Sequence, residues 1–195
     1  MSEASAREVG TGAGRYVIIA FFGLFLGGLL LAMGITLARQ GEGHAAGFGI
    51  NAVGALADIQ VRPATDFIVP QLSGGTFRLS EQRGHPVVVN FWASWCPPCQ
   101  DEARAFESAW QVYRGRGVVF LGIDVWDKDA DARAFINQFG LTYPNGLDTS
   151  ATTVEYGVTG IPETFAIDSQ GRVIRHWVGP MDAVQLRGFI DGILE

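Results

Sequence analysis

The chain has 195 residues, of which 48% are hydrophobic, and a formal net charge of −6. That length supports one packed domain with accessory segments rather than two ordinary domains. The negative charge argues against nucleic acid or an anionic membrane surface as partner, since either calls for a basic footprint.

Residues 1–15 read as a short tail, expected on the cytoplasmic side. Residues 16–38, between Arg15 and Arg39, hold no charged side chain. As a helix they would span a hydrocarbon core of about 30 Å, so they read as a transmembrane anchor. A cleaved secretory signal has a shorter apolar stretch of about 7–15 residues. Cleavage after Ala38 or Ala46 would release the same domain on the same side. Flanking charge barely decides orientation, and the short leading tail places residues 39–195 outside.

Residues 39–65 are rich in Gly and Ala and show no sustained period, which predicts a linker. The domain is expected over 66–195. Residues 67–72 and 76–80 flank Ser73-Gly74-Gly75 and predict a β-hairpin. Residues 86–92 form a nearly continuous β-branched and aromatic run, the pattern of a central strand buried on both faces. From Cys99 to Arg114, the spacing of Ala103, Phe106, Trp110 and Tyr113 predicts an amphipathic helix stopped by Gly115. A second buried strand is expected over 117–126, and a second helix over 129–139. Residues 164–167 and 172–178 predict a hairpin turning at Asp168-Ser169-Gln170-Gly171, followed by a helix over 182–194. This order implies an α/β domain with a mixed sheet and helices on both faces.

The two cysteines stand in Cys96-Pro97-Pro98-Cys99, so any bridge closes within this motif. A Cys-x-x-Cys at a helix start brings two sulfurs within bridging reach, and the helix N-terminus stabilises a thiolate at the first. Cys96 is therefore the expected exposed nucleophile, and Cys99, one turn further in, the more buried resolving thiol. A zinc site would need a second ligand pair, and His44, His85 and His176 are scattered. A c-type haem site would need His where Gln100 stands. Neither Pro97 nor Pro98 can donate an N–H, which leaves the Cys99 amide as the nearest donor to the Cys96 thiolate. A moderately stabilised thiolate predicts a couple toward thioredoxin's ~−270 mV and away from the strong oxidant's ~−120 mV, hence a reductase.

The segment Asn90 to Cys99 resembles the active-site segment of thioredoxin-like proteins, and among these the membrane-tethered TlpA/ResA/DsbE type. A second segment, Val158-Thr159-Gly160-Ile161-Pro162-Glu163-Thr164-Phe165, is similar to the DsbE-type stretch around a cis-proline. The resemblance implies a thioredoxin-like fold with an added N-terminal hairpin. It also implies a cis Ile161–Pro162 bond facing the disulfide, with the adjoining backbone pairing with substrate. Trp95, Pro97, Ile161, Pro162 and Glu163 are the implied substrate-contacting residues, with a solvated loop acid as the plainer role for Glu163. Asn90 stands where thioredoxin has a buried aspartate, so another group must take the proton of the resolving thiol. Glu102, which matches a glutamate of the TlpA/ResA type, is the expected acid-base partner; the alternative is a surface carboxylate favoured by the helix N-terminus.

Together these features imply an extracytoplasmic thiol-disulfide oxidoreductase without metal or cofactor. Its implied partners are a disulfide-bearing exported protein, such as apocytochrome c, and a membrane thiol donor. Two rival readings share the fold: a peroxiredoxin-like peroxidase using one peroxidatic cysteine, and a copper-handling assembly factor, for which His176 would have to approach Cys96.

Overall fold

The computed structural model describes residues 12–40, 49–148 and 151–194. The chain divides into two compact units, Met1–Gly47 and Phe48–Glu195. In the first unit a single helix, α1 (Gly12–Gln40), takes in the whole uncharged run. Among the described residues, no helix is long and apolar enough to cross a membrane. The expected tail lies mostly outside the described residues.

Of the linker expected over 39–65, residues 41–48 lie outside the described residues, and the later part is not a plain tether. Its strands β1 (Gly49–Ile50), β2 (Ala55–Leu56) and β3 (Arg62–Pro63) belong to the second unit and pair with later strands of it. Two-residue strands are too short to show a period of two, and only their partners' edges reveal them. The hairpin follows as β4 (Ile68–Pro70) and β5 (Thr76–Arg78), its turn carried by Gly74 and Gly75 at φ +100° and +80°.

Strand β6 (Val87–Trp92) is buried at every position. It leads into α2 (Pro97–Tyr113), then β7 (Val119–Asp124), α3 (Asp129–Phe139) and β8 (Asn145–Leu147). Next come α4 (Ala151–Tyr156), β9 (Gly160–Ile161), β10 (Glu163–Ile167), β11 (Arg172–Val178) and α5 (Ala183–Leu194). Helix α2 continues through a 3₁₀ turn over Arg114–Arg116, so the stop is Gly117, at φ +81°, rather than Gly115. Strands β8 and β9 and helix α4 were absent from the expected pattern, being two to six residues long.

The main sheet runs β2-β11-β10-β6-β7-β8, with β3 also on β11. β6, β7 and β8 are parallel, and β10 and β11 antiparallel, so the sheet is mixed as expected. Alternation along β6 splits its side chains between two layers. Asn90 and Trp92 meet α2 and α3 through Glu102 and Phe135, whereas Phe91 packs on Tyr156 of α4 and on Phe165. This is a thioredoxin-like α/β fold.

Candidate active site

Cys96 caps α2, and Pro97 and Pro98 fill the first helical positions, where a missing N–H costs least. The cysteines form a disulfide with Cα atoms 5.3 Å apart. The Cys99 amide donates to Cys96 Sγ at 3.3 Å. Both are buried, Cys96 at 0% and Cys99 at 1% exposure. The expected difference in exposure is therefore not present in the oxidised form, in which the Cys96 sulfur is turned in toward the helix to reach its partner.

The approach to the disulfide is fixed by the sheet and by its neighbouring loop. The Cys96 amide donates to the Ala93 carbonyl at 3.2 Å. The Ser94 amide donates to Asp127 Oδ2 at 2.7 Å, and Gln100 Nε2 to the Ser94 carbonyl at 2.8 Å. Trp95, 45% exposed, donates through its indole to the Trp126 carbonyl at 3.2 Å. Trp126 holds a φ of +55°, a left-handed backbone at a non-glycine residue. Trp95, Pro97 and Trp126 thus present exposed apolar surface around the motif.

Glu102 is no surface carboxylate. It is buried, its Oε1 accepting from Asn90 Nδ2 at 2.9 Å and its Oε2 from the Met181 amide at 2.9 Å. Asn90 also donates to Thr164, its cross-strand neighbour on β10. Burial pushes the Glu102 carboxyl up to about 8 against the pull of Met181 and Asn90. A second buried acid, Asp124, ends β7 opposite Trp92. Burial first, and the charge of Asp127 second, push it up to about 9.

On the other side, the Ile161–Pro162 bond is cis. Glu163 pairs with Phe91 near the end of β6, so Pro162 lies at the end of the sheet from which β6 runs on into the loop that holds Cys96. Glu163 itself is fully buried, not a solvated loop acid. Its Oε1 accepts from the Thr159 amide and hydroxyl, both at 3.0 Å, from the Gly160 amide at 3.1 Å and from Asn51 at 3.4 Å. Its Oε2 lies 2.8 Å from His176 Nε2. Burial opposes ionisation, yet the His176 and Thr159 hydrogen bonds hold its carboxyl below the usual range. His176 stacks on Phe165 and is engaged with Glu163 rather than Cys96. Among the described residues, no cluster of three or more His, Cys, Asp or Glu could hold a metal.

Sequence reasoning singled out the cysteines, Glu102 and the cis-proline segment, and weighed His176 only as a copper ligand near Cys96; it named neither Asp124, Asp127 nor Asn51 in this region, nor His176 as the partner of Glu163. Asp127 and His176 are ordinary polar residues in the linear order; only strand register brings them to the site.

Residues 61–176 match the profile of the AhpC/TSA family. The chain is 32% identical over 133 residues to the thiol-disulfide oxidoreductase ResA of Bacillus thuringiensis, covering 68% of this chain and 77% of that protein. It is 33% identical to ResA of Geobacillus thermodenitrificans over 131 residues, 67% and 75% of the two chains. Among solved structures, a thiol:disulfide interchange protein of the thioredoxin family from Chlorobium tepidum superposes with a TM-score of 0.66 at 28% identity, over 71% of this chain and 100% of that one. StoA from Bacillus subtilis gives 0.57 at 26% identity, over 65% and 96%.

Proposed function

Since the chain belongs to the AhpC/TSA family and, within it, to the thiol-disulfide oxidoreductases of the TlpA/ResA/DsbE type, we propose that it is an anchored extracytoplasmic reductase. Its substrates in this reading are disulfides of exported proteins such as apocytochrome c, and a membrane thiol donor returns it to the reduced form.

One observation carries the direction of the reaction. The Cys96 sulfur has the Cys99 amide as its hydrogen-bond donor at the helix start, because the two intervening prolines carry no N–H. A thiolate stabilised by so few donors makes the dithiol the stronger reductant.

In this mechanism the Cys96 thiolate attacks one sulfur of the substrate disulfide. The substrate S–S bond breaks, a mixed disulfide forms, and the leaving sulfur takes up a proton. Cys99 then loses its proton to the ionised form of Glu102, whose carboxyl is pushed up to about 8 and so holds a proton well enough to take it from a thiol. The Cys99 thiolate attacks Cys96, closing the disulfide and releasing the second substrate thiol. The pair is oxidised by two electrons as the substrate is reduced by two. Trp95, Pro97, Ile161 and Pro162 border the space the substrate enters, and Glu163 acts from beneath by holding the Thr159–Gly160 turn.

The uncharged stretch within α1 supports anchoring: its side chains from Ile18 to Met33 are exposed and almost wholly apolar. Resistance to alkaline carbonate extraction, with the domain labelled only from outside the cell, is the expected result; release of the full chain by carbonate would remove the anchor. For the chemistry, titration of the Cys96–Cys99 couple against defined thiol buffers is expected to give a potential near ~−270 mV, and a value well above ~−180 mV would sink the reductase.

A further inference from the structure

The backbone edge that borders the active site is already occupied by the chain itself. β1 lies parallel to β9 as a separate two-stranded sheet, Gly49 against Gly160 and Ile50 against Ile161. The Gly49 amide donates to the Thr159 carbonyl at 3.2 Å and the Asn51 amide to the Ile161 carbonyl at 2.7 Å. The Asn51 side chain adds bonds to the Pro162 carbonyl at 3.3 Å and to Glu163. The approach is close enough that a Cβ on Gly160 would collide with the Gly49 carbonyl oxygen and with the Asn51 side chain.

This edge continues directly into Pro162 and then Glu163, which pairs with Phe91 of β6, the strand that runs on through Ala93 into the Cys96 loop. An extended peptide gains most of its affinity from main-chain hydrogen bonds to a sheet edge. One that presents a disulfide to Cys96 would run along β9. Meanwhile β1 is weakly held: Gly49 and Ile50 are both exposed, so its pairing rests on a few hydrogen bonds and little buried apolar surface. The next strand, β2, is fastened separately to β11, so β1 can leave β9 without unpicking the main sheet.

We propose that Gly49–Asn51 is an intramolecular stand-in for the peptide strand, and that a disulfide-bearing peptide gains the β9 edge by displacing it. The segment acts as a specificity device: it taxes polypeptide substrates, while a small disulfide that needs no strand pairing reacts untaxed. This rests on the reductase reading above.

The test uses the reduced full chain with two oxidants, an oxidised Cys-x-x-Cys-His peptide and cystamine. Asn51→Pro removes the donor to Ile161 and the side-chain latch together. The expected result is a KM for the peptide lowered about fivefold, the worth of one or two hydrogen bonds, with any change in the KM for cystamine smaller than that. A peptide KM that stays or rises overturns the proposal. Hydrogen exchange gives a reading that does not depend on that variant folding. In the Cys99→Ser protein carrying the peptide as a mixed disulfide on Cys96, the Gly49 and Asn51 amides should lose protection, and retained protection overturns the proposal. Failure to reduce either oxidant would instead bring down the reductase reading itself.

Discussion

Glu102 and Glu163 are both buried carboxyls, yet their environments push them in opposite directions. Glu102, raised to about 8 from 4.5, keeps its proton in the folded protein over a range where the unfolded chain has lost it. Its contribution to stability is thus fully present below about pH 4.5 and declines as pH rises toward 8. In Glu102→Gln this decline should disappear, which urea unfolding of the oxidised protein at pH 5 and pH 8 would reveal. The same substitution should slow resolution of the mixed disulfide by about a hundredfold at neutral pH, measured by stopped-flow. Glu163 is the reverse case: its folded value is depressed, so its contribution is present above the ordinary carboxylate range and is lost as pH falls through the folded value. Glu163→Ala strands the Thr159 and Gly160 amides and His176 together, and should cost about 3 kcal/mol in denaturant titration at pH 7.

At the level of elements, the start of α2 sets the redox poise. The donor geometry at an N-cap uses the amides of the second and third helical residues, and here the second is Pro98. Pro98→Ala restores that N–H. A further hydrogen bond to the thiolate should shift the couple about 30–60 mV toward a stronger oxidant, read by equilibration with glutathione buffers. No change in potential would mean that the helix end does not tune Cys96. The elements themselves were legible wherever a period could develop. The bounds of Val87–Trp92, Asp129–Phe139 and Arg172–Val178 follow the hydrophobic pattern closely, although the helix buries Ala132 and Phe135 and leaves Ala130 and Ala134 exposed. Gly49–Ile50, Asn145–Leu147 and Gly160–Ile161 do not, because two or three residues carry no periodicity and owe their conformation to a partner strand.

Over the whole domain, the buried acids predict a tilted stability profile. Glu102 and Asp124, both raised, withdraw stability as pH climbs from about 4 to about 9, while Glu163 and Asp168, both lowered, withdraw it under acid. The melting temperature should therefore peak on the mildly acidic side of neutral and fall toward pH 9. Asp124→Asn, uncharged throughout, should flatten the alkaline limb; an unchanged limb in calorimetry would exclude Asp124 as its cause.

The linear order determined the redox pair, the helix that carries it, the central strand and the cis-proline segment. Each is encoded locally, by a spacing of three residues, a hydrophobic period or a proline. Only the tertiary structure decided that Glu102 is buried beside Asn90 with its carboxyl pushed up to about 8, that Glu163 is an internal strut tied to His176, and that Gly49–Asn51 lies along the edge beside Pro162. These depend on strand register joining positions up to 112 residues apart. Burial and pairing of that kind are properties of the packed sheet, and no short stretch of sequence contains them.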